Sequence, residues 1–416
     1  MNKSVEPASL VDGQPKDNAL GGETLVCIIS ADATAQQNTQ SFWGRSTGER
    51  LRILFEREGA RGFIEPGDLP AYKGPVVLVR EDAVIDPPLI PVLVSQSEFA
   101  LLSDDENEDA AIAVNATGKT AVAAAKAMQT SAPLPKSLKL DQRRPAELNT
   151  TFWTKLRKRE VPYARIVTPE NMAETEWRMF MGTYKGATDF ITKYLWPKPA
   201  YYVTRWLAPT FVTPNMVTTL SAVCVLAAFW LFMEGYFITG LIAAWLMTFL
   251  DTVDGKLART TLTSSKWGDI FDHGIDLLHP PFWYAAWAMG LVITGTWQWG
   301  GEFMAQVLTI IIGGYILQRL MEGAAIALLK LEIHIWRPID TAFRLVTARR
   351  NPNLALLTLF TVLFARPDIA LVSVAVWTFV CLLLHLIQLV HAFIVKSKSG
   401  PLTSWMSEPV KHAEER

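Results

Sequence analysis

The sequence is poor in cysteine and has no excess of charge of either sign. Its 416 residues include three cysteines, and 39 Lys and Arg nearly balance 40 Asp and Glu. Cys27, Cys224 and Cys381 lie far apart, which excludes a disulfide scaffold and a cysteine metal site. Without a basic excess to neutralise phosphates, binding to nucleic acid is also disfavoured. The near balance does not show where along the chain each sign is concentrated.

Long apolar runs are almost absent from the first half of the chain. Residues 1–23 are polar and do not have the pattern of a signal peptide, so they are expected to be disordered. Residues 24–168 alternate strand and helix patterns and predict a small soluble α/β domain, with a linker over 130–150. Its predicted elements are strands at 25–29, 75–79 and 110–114 and a helix at 42–59.

Residues 169–212 are predicted to connect this domain to a membrane region. Within them, 170–196 has an aromatic-rich amphipathic helical pattern, with Trp177, Phe180 and Tyr194 near one stripe. Such a helix either lies in the membrane interface or packs on the soluble domain, and the pattern leaves both open.

The second half of the chain contains nearly all the long apolar runs. A membrane-spanning helix needs about 20 such residues, and residues 213–398 offer six candidates. These are 216–234, 236–253, 277–297, 303–329, 353–365 and 368–395. The fourth contains Arg319 and Glu322, which must face protein or water rather than lipid.

Basic residues are concentrated in alternate loops of this region. They follow the second and fourth candidates and, as Lys396 and Lys398, come just before the tail at 399–416, whereas the opposite loops offer only Arg366. The positive-inside rule therefore predicts that both termini lie in the cytoplasm.

Four aspartates at the cytoplasmic end of the second and third candidates form the strongest chemical signal. Asp251 and Asp254 are spaced i, i+3, and Asp272 and Asp276 are spaced i, i+4, so each pair shares one helix face. Four converging carboxylates need neutralisation, and Mg²⁺ prefers oxygen ligands completed by phosphate. Two ions about 4 Å apart would suit phosphoryl transfer.

Small residues and one arginine are interleaved with these aspartates. Gly255, Ala258 and Gly268 allow a nucleotide or a neighbouring backbone to approach closely, and Arg259 offers a positive charge to a phosphate. The whole stretch resembles the CDP-alcohol phosphotransferase signature, D-x2-D-G-x2-A-R-x8-G-x3-D-x3-D, at all eight fixed positions.

This resemblance implies roles for the matching residues. Asp251, Asp254, Asp272 and Asp276 would bind two Mg²⁺ ions, with Mn²⁺ as a substitute. Asp276 would act as the base that deprotonates the acceptor hydroxyl, beside Asp272 as the second catalytic carboxylate. The CDP moiety would be held by Gly255, Ala258, Arg259 and Gly268.

Several nearby residues allow two interpretations. Asn215 either contacts the nucleotide or caps a helix. Arg349 and Arg350 either clamp a substrate phosphate or serve as cytoplasmic anchors. His273 and His279 either relay protons or pack beside the acids.

The soluble domain weakly resembles a nucleotidyltransferase, and the junction is similar to that of inositol-phosphate cytidylyltransferase fusions. An active domain of that kind has a glycine-rich basic loop after its first strand. Residues 30–37 have neither glycine nor a basic residue, so the domain is interpreted as degenerate.

The resulting hypothesis is an integral membrane enzyme of the bacterial inner-membrane type, with its active site in the cytoplasm. It would transfer a phosphoalcohol from a CDP-alcohol donor to a hydroxyl acceptor, release CMP and make a membrane lipid. The resemblance also implies a homodimer. The alternatives are a transporter or other ion-binding membrane protein that uses the acidic cluster, and a non-catalytic scaffold.

Overall fold

The computed structural model describes residues 24–31, 41–106, 108–148 and 152–407. The predicted disorder of residues 1–23, most of the loop at 30–37 that was interpreted as degenerate, and the part of the predicted cytoplasmic tail beyond 407 lie outside the described residues. The chain divides into two compact units between Gly182 and Thr183, and each is described by itself.

The first unit is built on a six-stranded mixed sheet. Its strand order is β4-β1-β5-β8-β7-β9; β1 pairs in parallel with β4 and β5, and β8 is antiparallel to β5 and β7. The sheet strands are β1 Leu25–Ile29, β4 Gly62–Phe63, β5 Pro75–Arg80, β7 Phe99–Leu102, β8 Ala111–Thr117 and β9 Asp141–Arg143. The shorter strands are β2 Ser41–Phe42, β3 Arg45–Ser46, β6 Ala83–Ile85, β10 Phe152–Trp153, β11 Lys158–Arg159 and β12 Ala164–Ile166.

Helices cover both faces of this sheet, which explains the continuous apolar runs of β1 and β5. Val26 and Val77 pack on one face, and Cys27 and Leu78 pack on the other. The helices of this unit are α1 Thr47–Arg57, α2 Ile90–Ser95, α3 Gly118–Gln129 and α4 Met172–Gly182. This α/β architecture agrees with the predicted class, whereas a nucleotidyltransferase relationship stays a prediction.

Three local predictions in and beside this unit were inaccurate. The helix expected at 42–59 begins only at Thr47, because Ser46 caps it and Phe42 belongs to a hairpin strand. Residues 141–143, expected in a linker, form an edge strand whose exposed polar side chains have no apolar pattern. The helix expected at 170–196 is interrupted after Gly182, since Asp189 caps a new helical turn at Thr192.

Within the first unit, α4 packs on the sheet domain. Phe180 is fully buried and stacks on Trp43, with 5.8 Å between ring centroids. For this part of the connector, the interpretation as a helix packed on the soluble domain agrees with the structure. The interfacial interpretation applies only to the segment beyond Gly182.

The second unit is helical throughout its described length. After a π-helical turn at Ile191–Leu195, its first helices are α5 Pro197–Leu207, α6 Pro214–Met233, α7 Phe237–Thr260 and α8 Lys266–Ile293. They are followed by α9 Gly300–Leu308, α10 Gly314–Ala324, α11 Pro338–Arg344, α12 Arg350–Thr358 and α13 Pro367–Ser399. Further π-helical turns at Thr309–Gly313, Ala325–Leu329 and Leu359–Leu363 continue α9, α10 and α12.

Among the described residues, four helical segments are long and apolar enough to cross a membrane. They are Pro214–Met233, Phe237–Thr260, Gly300–Leu329 and Pro367–Ser399. The expected spans at 277–297 and 353–365 are not among them. Most of 277–297 lies in α8, where His279, Pro280 and Pro281 lower the hydropathy, and 353–365 covers a short helix and a π-helical turn. Six crossings therefore stay a prediction, while the four candidate spans agree with the predicted membrane region.

Close helix packing holds the second unit together around α8. A Cβ atom at Gly290 would lie 2.1 Å from the carbonyl oxygen of Phe232, so only glycine permits this approach of α8 to α6. The indole of Trp283 donates to the carbonyl of Val225 at 3.0 Å, and that of Trp287 donates to Pro367 at 3.0 Å. These bonds tie α8 to α6 and α13.

Candidate active site

The predicted aspartates lie at adjacent ends of α7 and α8. Asp251 and Asp254 lie in the last turns of α7, and α8 begins at Lys266 after the cap residue Ser265, whose hydroxyl accepts from the amide of Gly268 at 3.1 Å. The short connection turns the chain back, so that the first turns of α8 run beside the last turns of α7.

Three of the four carboxylates converge. Oxygen atoms of Asp251, Asp272 and Asp276 lie within 4.8 Å of one another. Three hard oxygen donors at this separation suit a divalent cation such as Mg²⁺ or Mn²⁺. The donor set is therefore chemically compatible with the metal that the sequence suggests.

The fourth carboxylate is held by a hydroxyl group. Asp254 is only 3% exposed, and its Oδ2 accepts a hydrogen bond of 2.6 Å from Thr218 Oγ1 on α6. Thr218 is 4% exposed. The bond fixes the orientation of the Asp254 side chain beside the other three.

Arg350, at the start of α12, bridges two of the converging aspartates. Its Nη2 donates to Asp251 Oδ2 at 2.6 Å, and its Nη1 donates to Asp276 Oδ1. The sequence left two interpretations for this arginine, a ligand of a substrate phosphate or a cytoplasmic anchor. The structure instead places the guanidinium on the carboxylates, where it neutralises part of their charge.

The small residues of the signature border the aspartates. A Cβ atom at Gly255 would lie 2.8 Å from Arg259 Nη2, so the glycine leaves room for that guanidinium. Arg259 Nε is buried without a hydrogen-bond partner in the described part of the chain. The Asn215 amide oxygen would lie 3.1 Å from a Cβ at Gly268. Ala258 lies one turn beyond Gly255 on α7. Asn215 is not the cap of α6, because the side chain of Thr213 caps that helix.

The two histidines of α8 differ in environment. His273 is exposed, and its Nδ1 lies 2.8 Å from the carbonyl oxygen of Asp269 and 3.8 Å from Asp272 Oδ2. His279 is buried, contacts the carbonyl of Ile275 and packs against Trp283 with ring centroids 4.5 Å apart. The surroundings of His279 are those of a packing residue.

A second polar cluster joins α10, α13 and the segment before α12. His334 Nε2 lies 2.9 Å from Glu322 Oε1, and the rings of His334 and His385 are 5.2 Å apart. Arg349 Nη2 also donates to Glu322, and Arg319 Nη1 lies 3.1 Å from its Oε2. The sequence predicted that Arg319 and Glu322 face protein or water rather than lipid, but their distant partners could not be deduced from local spacing.

The second cluster is suited to an anion rather than a cation. Glu322, His334 and His385 offer three possible metal ligands. However, Arg319 and Arg349 form ion pairs with Glu322, and Arg344 interacts with it electrostatically, so the three positive charges would repel a cation. Burial lowers the pKa of His334 to about 3, so this ring is neutral near pH 7.

Several donors of this cluster have no protein partner among the described residues. Arg319 Nε, Arg349 Nε, and Nε and Nη1 of Arg344 are buried without a hydrogen bond. Burial, together with the nearby charge of Arg349, lowers the pKa of Arg344. Buried donors normally have partners, so the surplus positive charge and free N–H groups are suited to an anionic ligand.

Tyr315 lies between the two clusters. Its hydroxyl donates to the carbonyl oxygen of Leu277 on α8 at 2.9 Å, and Arg319 lies over its ring at 5.5 Å from the centroid. Because Arg349 and Arg350 are consecutive, their side chains connect the anion-suited cluster with the acidic one.

Comparisons with known proteins agree with the acidic signature. Residues 211–349 match the family model for CDP-alcohol phosphatidyltransferase. The chain is similar to the archaetidylinositol phosphate synthase of Pyrococcus horikoshii, with 30% identity over 120 residues, 29% of this chain and 58% of the relative. It is also similar to the phosphatidylinositol phosphate synthase of Streptomyces avermitilis, with 36% identity over 93 residues, 22% of this chain and 36% of the relative.

The chain thus spans only 58% and 36% of the length of these two relatives. A crystal structure of the phosphatidylinositol phosphate synthase of Mycobacterium tuberculosis aligns with a TM-score of 0.35 and 17% identity, covering 47% of this chain and 95% of the other.

Proposed function

We propose that this chain, whose residues 211–349 form a CDP-alcohol phosphatidyltransferase family domain, transfers a phosphoalcohol or phosphatidyl group from a CDP-alcohol to a hydroxyl acceptor and releases CMP. The observation that carries the proposal is the convergence of Asp251, Asp272 and Asp276 within 4.8 Å. The convergence falls inside the matched segment, where a phosphotransfer site needs hard oxygen ligands.

The carboxylates would hold two Mg²⁺ ions, with Asp254 oriented by Thr218. When bound, the ions would supply positive charge to the phosphate oxygens of the donor. Without them, four acids close together in a partly buried site would repel an anionic substrate. Asp251, Asp254, Asp272 and Asp276 are therefore proposed as the metal-binding residues.

Asp276 is the proposed general base, with Asp272 beside it as the second catalytic carboxylate. A carboxylate oxygen of Asp276 takes the proton of the acceptor hydroxyl, whose oxygen forms a bond to the β-phosphorus of the donor. The bond between that phosphorus and the bridging oxygen breaks, and CMP leaves with the electron pair. A general base must lie within hydrogen-bond reach of the proton it removes.

The residues that border the acids would hold the CDP moiety. Arg259 provides a fixed positive charge, and the buried Nε without a partner is a free donor for a phosphate oxygen. Gly255, Ala258 and Gly268 leave room for the nucleotide, and Asn215 lies beside Gly268.

The acceptor is proposed to be an alcohol that carries a phosphate, of the inositol phosphate type. Support comes from the free donors of Arg319, Arg344 and Arg349 next to the acidic cluster. The names of both curated relatives point to the same class. The expected result for R344Q is a higher KM for the phosphorylated acceptor with little change in kcat.

The proposed setting is the cytoplasmic face of a membrane, with both termini in the cytoplasm and the enzyme as a homodimer. α5 supports an interfacial position for the connector, because Trp206 is 72% exposed beside the exposed Tyr202 and the basic Arg205. The N-terminal unit is proposed to be a degenerate nucleotidyltransferase-like domain with a structural or regulatory role.

The test measures CMP release from radiolabelled CDP-alcohols by the full-length protein in membranes. D272N and D276N are expected to abolish release while leaving the protein in the membrane, and chelation of divalent cations is expected to do the same. D269N is a matched control, since Asp269 is an exposed aspartate of the same helix. Near-normal turnover by D272N or D276N would refute the assignment, and ion flux without CMP release would favour a transporter.

A further inference from the structure

Arg350 occupies the place where the acidic cluster needs a cation. Its guanidinium contacts Asp251 of α7 and Asp276 of α8 at the same time, and the side chains of Arg350 and Asp251 are each only 15% exposed. A guanidinium that bridges carboxylates from two helices neutralises their negative charge, as a bound metal ion would.

The guanidinium and a metal ion would need the same oxygen atoms. Arg350 uses Asp251 Oδ2 and Asp276 Oδ1, and both residues belong to the three whose oxygens can converge on one ion. A dication cannot share these oxygens at bonding distance with a guanidinium that already bridges them, because the two positive charges would also repel each other.

We propose that Arg350 is an exchangeable counter-ion of the acidic cluster: it neutralises Asp251 and Asp276 while no metal is bound and leaves them when a metal binds. This inference rests on the proposed function, in which the aspartates hold divalent cations. The released guanidinium lies at the edge of the site, next to Arg349 in sequence, where it is free to pair with a substrate phosphate. Metal binding and anion binding are coupled through one side chain.

The exchange predicts that Arg350 weakens metal binding in the absence of substrate. Mn²⁺ affinity is measured by electron paramagnetic resonance on the purified full-length protein without nucleotide. R350Q is expected to bind Mn²⁺ about tenfold more tightly than the wild type or better, because close charge pairs are coupled by about 1.5 kcal/mol or more.

R349Q is the matched control. It removes the same charge from the neighbouring position, but Arg349 pairs with Glu322 and not with the aspartates. Its Mn²⁺ affinity is expected to change less than twofold. Equally tighter Mn²⁺ binding in both variants would indicate a general electrostatic effect of the lost charge and would contradict the proposed exchange. Unchanged or weaker Mn²⁺ binding in R350Q would contradict it too.

Thermal unfolding checks that the variant is folded. Metal-free R350Q is expected to unfold at a lower temperature than the wild type, since its aspartates lack their counter-ion, and Mn²⁺ should raise its midpoint more than that of the wild type. An equal rise would count against the exchange. If neither protein binds Mn²⁺, the metal site and the proposed function both fail. If only the wild type binds it, or both bind equally, the exchange alone fails.

Discussion

Thr218 is predicted to control the acidic cluster through Asp254, although it is not expected to touch metal or substrate itself. Its hydroxyl donates to Asp254 Oδ2 at 2.6 Å, between two side chains that are almost fully buried. Replacing Thr218 by valine keeps the shape of the side chain and removes the hydroxyl. Asp254 then loses a partner that water cannot easily replace.

The size of the effect follows from the type of bond. A hydrogen bond to a charged group contributes about 1.5–3 kcal/mol, and loss of a group that orients a metal ligand commonly reduces metal affinity by about 10–100-fold. The two ranges agree, since each tenfold change corresponds to about 1.4 kcal/mol. T218V should therefore weaken Mn²⁺ binding by one to two orders of magnitude.

The assay combines Mn²⁺ titration with steady-state CMP release as a function of metal concentration. T218V should need a higher metal concentration for half-maximal rate, and T218S should restore much of the loss because it keeps the hydroxyl. T219V is the control, since Thr219 is exposed and donates only to the backbone carbonyl of Asn215 among the described contacts. A T218V protein that folds normally and binds Mn²⁺ within twofold of the wild type would refute the positioning role.

Two further predictions concern stability. G290A should destabilise the second unit by about 1–3 kcal/mol, because its Cβ would meet the Phe232 carbonyl at 2.1 Å. Thermal unfolding in detergent measures this loss. G274A is the control and should show no such loss, since its Cβ meets nothing within 4 Å. In the first unit, burial raises the pKa of Asp86 from 3.8 to about 7. The folded state therefore binds more protons than the unfolded state between these values, so stability should fall by up to about 4 kcal/mol as pH rises from 4 to 7. Hydrogen exchange of strand β6, corrected for intrinsic rates, should show this fall in the wild type and not in D86N.

The acidic half of the candidate site could be predicted from sequence because its spacing is local. Asp251 and Asp254, like Asp272 and Asp276, repeat at helical intervals, and a short turn brings the two helices together. Arg350 could be named as a candidate site residue, but its contact with the aspartates could not be predicted. Its contacts depend on how α12 packs against α7 and α8, and no periodicity encodes that packing.

The anion-suited cluster was harder to foresee for the same reason. Glu322, His334 and His385 come from three separate segments, and each alone resembles an isolated polar residue in an apolar region.

The interrupted helix at 170–196 shows a different limit of prediction from sequence. Its apolar periodicity continues through the interruption, whereas the Asp189 side chain supplies a competing cap for the next turn.

The first residues of α12 explain how two clusters of opposite character stay next to each other. Consecutive arginines there reach different partners, Arg349 to Glu322 and Arg350 to Asp251 and Asp276. The position of this turn is fixed by two buried amides: Asn353 donates to the Tyr284 hydroxyl on α8 at 2.8 Å, and Asn351 donates to Asp189 at 3.0 Å. Because both arginines lie at the start of one helix, a shift of α12 would move them together. A displacement of α12 would therefore change the positive charge next to the acidic cluster and next to the anion-suited cluster at the same time.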